Sequence, residues 1–196
     1  MTDVQPRRAD ARRNRDVLIA RAREIFDAGD EHLRFDDFAS IAGLGTGTLY
    51  RHFPTREALA AAVYQQEVAA LCNVAGRLQA TLPPGESLAA FLHHMVEHID
   101  AHQRLARRLA ALLAAAPDDM VRTSQDLENA VAELFSVAVA NSAIRGDVPA
   151  GTVMMALHGI SAAHDRPNWR AEADGVITVV LEGLRPGSDG RAQHQR

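Results

Sequence analysis

The sequence predicts an all-α protein of about nine helices, and three observations carry that prediction. Apolar residues recur at three- and four-residue spacing along most of the 196 residues, the period of one helix face. Ala and Leu dominate an apolar fraction of 47%, and both favour helix over sheet. No internal repeat and no alternating run of the kind a half-buried strand leaves stands out.

Residues 1–11 are polar and Arg-rich, contain Pro6, and read as a disordered basic arm able to lie along a nucleic-acid groove. Residues 12–28 read as the first helix, with Leu18, Ala22, Ile25 and Phe26 on one face and Gly29 at its end. Residues 35–42 read as the second, with Phe38 and Ile41 inward, closed by Gly43. Gly45 starts a third helix of about two turns over residues 46–53, on which Leu49 and Phe53, four apart, point inward. Pro54 stops it, and Thr55 caps a long helix to about residue 78 with Leu59, Val63, Val68 and Leu71 among its buried positions.

Leu82-Pro-Pro-Gly-Glu86 is a loop, because apolar periodicity resumes directly after it. Leu88, Phe91, Leu92, Met95 and Ile99 form the fifth stripe. A bend near His102 leads to a sixth, with Leu105, Leu109 and Leu112. Pro117 opens a helix carried by Leu127, Val131, Leu134, Phe135 and Ala138 to about Ile144. Val153, Leu157, Ile160 and His164 mark the eighth face, and Trp169, Ala173, Val176, Ile177, Val180 and Leu184 the ninth; residues 186–196 read as a disordered tail.

The third helix has an unusual outer surface. Thr46, Thr48, Tyr50, Arg51 and His52 offer hydroxyls, a phenol, a guanidinium and an imidazole, with no carboxylate among them. Those are the groups that phosphate oxygens and base edges accept. Arg56, in the first turn of the next helix, adds a positive charge where helix-terminal amides already favour an anion. The net charge is -4, yet seven Arg stand against four acids over residues 1–26, and acids outnumber Arg beyond Ala60. A basic end on an acidic body fits a local DNA contact better than nonspecific adhesion. Cys72 is the single cysteine, so no intramolecular disulfide forms and a reducing cytoplasm is expected; no apolar run approaches a membrane span.

The segment Thr46-Gly-Thr-Leu-Tyr-Arg-His-Phe-Pro-Thr-Arg-Glu-Ala-Leu59 resembles, without a gap, the recognition helix and following turn of the TetR family of transcription regulators. Ala20-Arg-Ala-Arg-Glu-Ile-Phe26 with Gly29 is similar to that family's first helix, and Phe38-Ala39 with Ala42-Gly43-Leu44 to its second helix and turn. Downstream, the layout looks most like the SbtR-like branch. The resemblance implies a helix-turn-helix DNA-binding domain over residues 12–54 and a helical effector-binding and dimerisation domain over 55–185. It implies a homodimer whose two recognition helices enter successive major grooves of a palindromic operator, about 34–36 Å apart. By matching positions, Thr46 and Arg51 meet base edges, Gly45 and Gly47 sit where the chain comes close to DNA, and Thr48, Tyr50, His52 and Arg56 form the phosphate set. A repressor released by a small-molecule effector is the implied mechanism. Phe91, Met95, His98, Leu109, Leu127 and Phe135 are its candidate pocket. Val153, Leu157, Ile160, His164, Trp169, Ala173, Val176, Ile177 and Val180 are the candidate dimer interface.

One position departs from the family: Arg34 stands where a hydroxyl usually caps the second helix. Either the cap is lost, or Arg34 meets a phosphate. A rival reading comes from the histidines. His94, His98 and His102 fall along one edge of the fifth stripe, and imidazoles four apart can share a metal ion. The helix lacks the adjacent Glu of a catalytic zinc motif, and Ser161-Ala-Ala-His164 lacks an orienting acid, so no enzyme and no bound cofactor are expected.

Overall fold

The computed structural model describes residues 4–30, 32–114 and 117–186; the tail expected over 187–196 lies outside them. Eight helices are described: α1 (Val4–Ala28), α2 (Phe35–Ile41), α3 (Thr46–His52), α4 (Arg56–Thr81), α5 (Pro84–Leu113), α6 (Pro117–Ala140), α7 (Gly151–Ala162) and α8 (Trp169–Gly183). The expected fifth and sixth helices are the two arms of α5, which meet at a kink. The expected bend is present as a single non-helical residue, His102, at φ -122° and ψ 20°, and α5 continues past it. The first helix begins at Val4 and not at residue 12, so residues 4–11, expected as a disordered arm, form its first turns. The loop after α4 is shorter than expected, because Pro84 opens α5. A proline costs a helix nothing at its first position, where its missing N–H has no partner in any case.

The chain divides into two compact units, Met1–Glu67 with His102–Thr123, and Val68–Ala101 with Ser124–Arg196. The first unit thus takes in parts of α4, α5 and α6. The reason is the first unit's core. Leu18, Ala22, Phe26, Phe38, Leu49 and Phe53 are joined there by Leu59, Ala60 and Val63 of α4 and by Leu105, Leu109 and Leu113 of α5. Ile41 is the exception to the expected pattern: it is 47% exposed.

Half-buried polar groups brace the same unit. Arg23 on α1 donates from Nε to Glu67 Oε1 on α4 at 2.6 Å, and its Nη2 lies 3.3 Å from Nδ1 of His102. Glu67 raises the Arg23 pKa, its hydrogen bond being the first cause.

The second unit's core gathers Leu71, Leu88, Phe91, Leu92, Met95, Leu134, Phe135, Val153, Leu157, Ile160, Trp169 and Ile177. Burying an indole demands a partner for its N–H, and Trp169 Nε1 donates to the Ile160 carbonyl at 2.6 Å, clamping the start of α8 onto the end of α7.

Candidate nucleic-acid interface

Two short helices make the candidate site, and neither is long enough to be stable alone. α2 ends in a left-handed Gly43, φ +68°; the N–H of Gly43 donates to the Ser40 carbonyl at 3.0 Å and that of Leu44 to the Ala39 carbonyl at 2.9 Å. This closure satisfies two end carbonyls and turns the chain into α3, and a side chain at Gly43 would strain it. At the other end of α2 the backbone N–H of Arg34 donates to the Asp37 carboxylate at 2.7 Å. The cap lost at Arg34 is therefore half replaced from three residues downstream, one arm of a capping box. The Arg34 residue itself is exposed.

Gly45 precedes α3 in an extended conformation and accepts from Thr48 N–H at 2.8 Å. Leu49, fully buried, and Phe53, 3% exposed, anchor α3 to the unit. Phe53 N–H donates to the Leu49 carbonyl at 2.8 Å, and Thr55 Oγ1 accepts from Ala58 N–H at 3.1 Å, starting α4 as expected. Anchoring by that one face leaves Thr46, Gly47, Tyr50 and Arg51 exposed, with Thr48 and His52 half-buried beside them. A Cβ at Gly47 would meet no atom within 4 Å, so nothing in the protein itself demands glycine there.

The polar ends are already engaged. Arg51 lies along its own helix, donating from Nε to the Gly47 carbonyl at 2.8 Å and from Nη2 to Thr48 Oγ1 at 3.3 Å. Tyr50 donates its hydroxyl to Asp36 Oδ1 on α2 at 2.7 Å, and its ring meets Phe35 edge-on with centroids 5.5 Å apart. That hydrogen bond is the first cause of a raised phenol pKa. α3 itself carries no carboxylate, but α2 brings one to its face. Asp36 was absent from the expected site because its partner is fourteen residues away, a separation that helical periodicity does not report.

Arg56, expected in the phosphate set, is engaged within the protein. It is half-buried; its Nη2 donates to the Leu33 carbonyl, and its guanidinium lies 5.2 Å from the Phe38 ring centroid. These contacts tie the segment before α2 to the start of α4, which is a folding role. Arg56→Ala is expected to lower stability by about 1–2 kcal/mol. The salt dependence of DNA binding should hardly change. Chemical denaturation and titrations at several salt concentrations separate the two; a flattened salt slope with unchanged stability would restore Arg56 to the phosphate set.

The other expected sites come together only in part. Of the candidate pocket, Phe91, Met95 and Phe135 are core residues of the second unit with Leu127 packed against them, whereas Leu109 belongs to the first unit's core and His98 is half-buried. Two grooves of the second unit lie away from these residues. One of about 390 Å³ is lined by Gln125, Glu128, Asn129, Met154, Met155 and His158, and one of about 450 Å³ by Glu86, Thr178, Leu181 and Arg185 among others.

The candidate dimer interface divides between buried and outward positions. Val153, Leu157, Ile160, Trp169, Ala173 and Ile177 are spent in the protomer's own core, His164 and Val180 are half-buried, and of the nine only Val176 is exposed. His164 packs against the Trp169 ring at 4.3 Å. Two residues of the metal trio have other neighbours. His94 turns to Glu97 at 3.9 Å on its own helix, while His102 faces the Arg23 guanidinium, a cation already in place.

A buried-face anchor, a glycine-closed turn and an exposed hydroxyl-rich helix make up a helix-turn-helix, and sequence comparison agrees. The profile of the bacterial regulatory proteins of the tetR family matches residues 18–63, and that of the SbtR-like transcriptional regulator C-terminal domain matches residues 83–186, more than half of the chain. The chain belongs to the TetR family of transcriptional regulators. A TetR transcriptional regulator from Streptomyces coelicolor is 37% identical, with a TM-score of 0.69 over 89% of this chain and 99% of that one. The TetR transcription regulatory protein from Mycobacterium vanbaalenii is 31% identical, with a TM-score of 0.66 over 91% and 98%. An HTH-type transcriptional regulator of Staphylococcus aureus is 31% identical over 64 residues, 32% of this chain and only 34% of that protein. TetR proteins are DNA-binding regulators and not enzymes. Among the described residues no helix is long and apolar enough to cross a membrane.

Proposed function

We propose that this TetR-family regulator is a cytoplasmic homodimeric repressor that holds a palindromic operator through α3 and is released by a small-molecule effector. The observation that carries the DNA contact is the arrangement of α3: Leu49 and Phe53 inward, Thr46, Gly47, Tyr50 and Arg51 outward, and no acid on the helix. Thr46 and Arg51 read base edges, and Gly47 keeps the backbone close to the groove. Arg51 exchanges its bonds to Gly47 and Thr48 for a base. Thr48, Tyr50 and His52 hold the backbone phosphates.

Dimerisation uses the outward face of α7 and α8. Met155 is 74% exposed, Val179 72% and Val176 40%. Gly159 and Gly175 stand on the same outer faces with no atom within 4 Å of an added Cβ, which leaves room for a partner's helices. Exposed apolar side chains on consecutive helices support a contact surface there, and a two-fold pair is the commonest use of one. The groove between α6 and α7 combines thioethers, amides and an imidazole, and suits an effector with both apolar and polar parts.

Selecting bound sequences from random duplex DNA tests the reading at once. An inverted repeat with half-sites about one helical turn apart is expected. Recovery of no enriched sequence, from protein that is folded and dimeric, would contradict it.

A further inference from the structure

Tyr50 and Asp36 form the one polar side-chain contact that joins α3 to α2 on the exposed side, at 2.7 Å among the described residues. Asp36 stands in the first turn of α2, and Phe35 beside it holds the Tyr50 ring edge-on. Tyr50 is 47% exposed, so the contact lies at the surface and not under it. A phenol has one proton to donate, and an ionised carboxylate only accepts. A phosphate diester oxygen also only accepts. The two acceptors therefore compete for the same proton, and while Asp36 holds it Tyr50 has none to offer a phosphate. Asp36 also brings a negative charge to a face whose helix α3 carries none.

We propose that Asp36 is a positioning residue that restrains DNA binding: it holds the Tyr50 hydroxyl in the DNA-free protein and must release it when α3 seats on a duplex. The inference rests on the assignment of Tyr50 to the phosphate contacts. Phosphate contacts carry no sequence information, so the restraint lowers affinity on every duplex by a similar factor. It sets how tightly the regulator holds DNA and not which sequence it prefers.

A short fluorescein-labelled duplex of mixed sequence, titrated with the full-length protein at low salt, tests this without knowledge of the operator. Asp36→Ala is expected to tighten binding about fivefold, the gain of one phosphate hydrogen bond and the loss of one repelling charge. Asp36→Asn keeps the side-chain shape and a weaker acceptor, and is expected to give a smaller gain in the same direction; it stands in should alanine loosen α2. In a Tyr50→Phe background the Asp36→Ala gain should shrink to under about twofold, since no phenol proton remains to be released. Binding that is equal or weaker in both Asp36 variants overturns the proposal. So does a full gain in the Tyr50→Phe background, which assigns the effect to charge alone. If the unsubstituted protein binds no duplex, the DNA-contact assignment falls and the restraint with it; binding without any gain in the variants removes the restraint alone.

Discussion

Val179→Asp is expected to leave each protomer folded, separate the dimer, and weaken operator binding by about 100-fold or more. The position is 72% exposed on α8, so the substitution disturbs no intramolecular packing. Across a two-fold axis every residue of an interface is presented twice, and two carboxylates would face one apolar surface. Separation then costs DNA binding through geometry alone. One head reaching its half-site no longer delivers the second, and the effective concentration supplied by the partner is lost. Sedimentation equilibrium gives the mass, and circular dichroism the fold. A dimer of unchanged affinity would move the interface away from the outer face of α7 and α8. Ile177→Asp makes the contrast: Ile177 is 1% exposed in the protomer core, so this change should unfold the protein and not merely divide it.

Leu49→Ala is the second large effect. Leu49 is fully buried, and it carries the attachment of a seven-residue helix. Truncating a buried leucine costs about 3 kcal/mol, in transfer free energy plus the cavity left behind. α3 has no length to hold itself, since its few intrahelical hydrogen bonds do not offset the entropy of ordering it. The expected result is a cooperative loss of stability with loss of DNA binding, although Leu49 faces away from any duplex. Denaturant unfolding reads the first and a duplex titration the second. A variant that kept full affinity would show that α3 is held by contacts other than this anchor.

These two substitutions divide along what could be read from residue order. Leu49, Phe53, Phe38 and Leu59 were legible as inward positions, because three- and four-residue spacing determines which side of a helix they share. Gly43 was legible as the turn, because a left-handed residue must end α2. Ile41 carried the same apolar signal and is nearly half exposed; two helices of seven residues are too short for periodicity to settle where a face ends. The apolar stripes of α7 and α8 were visible as stripes, but a stripe does not say whether it meets its own chain or a second copy. The core took most of them, and Met155, Val176 and Val179 stayed outward.

The sequence by itself determined the all-α class, the helix-turn-helix and the identity of its outward groups, since these follow from local periodicity, capping chemistry and a contiguous motif. Tertiary structure decided which charges those groups meet. Tyr50 with Asp36, Arg56 with Leu33 and Phe38, and Arg23 with Glu67 and His102 are pairs between separate helices or loops. Their partners lie from fourteen to seventy-nine residues apart, and only the packing of helix against helix brings such groups within hydrogen-bonding reach.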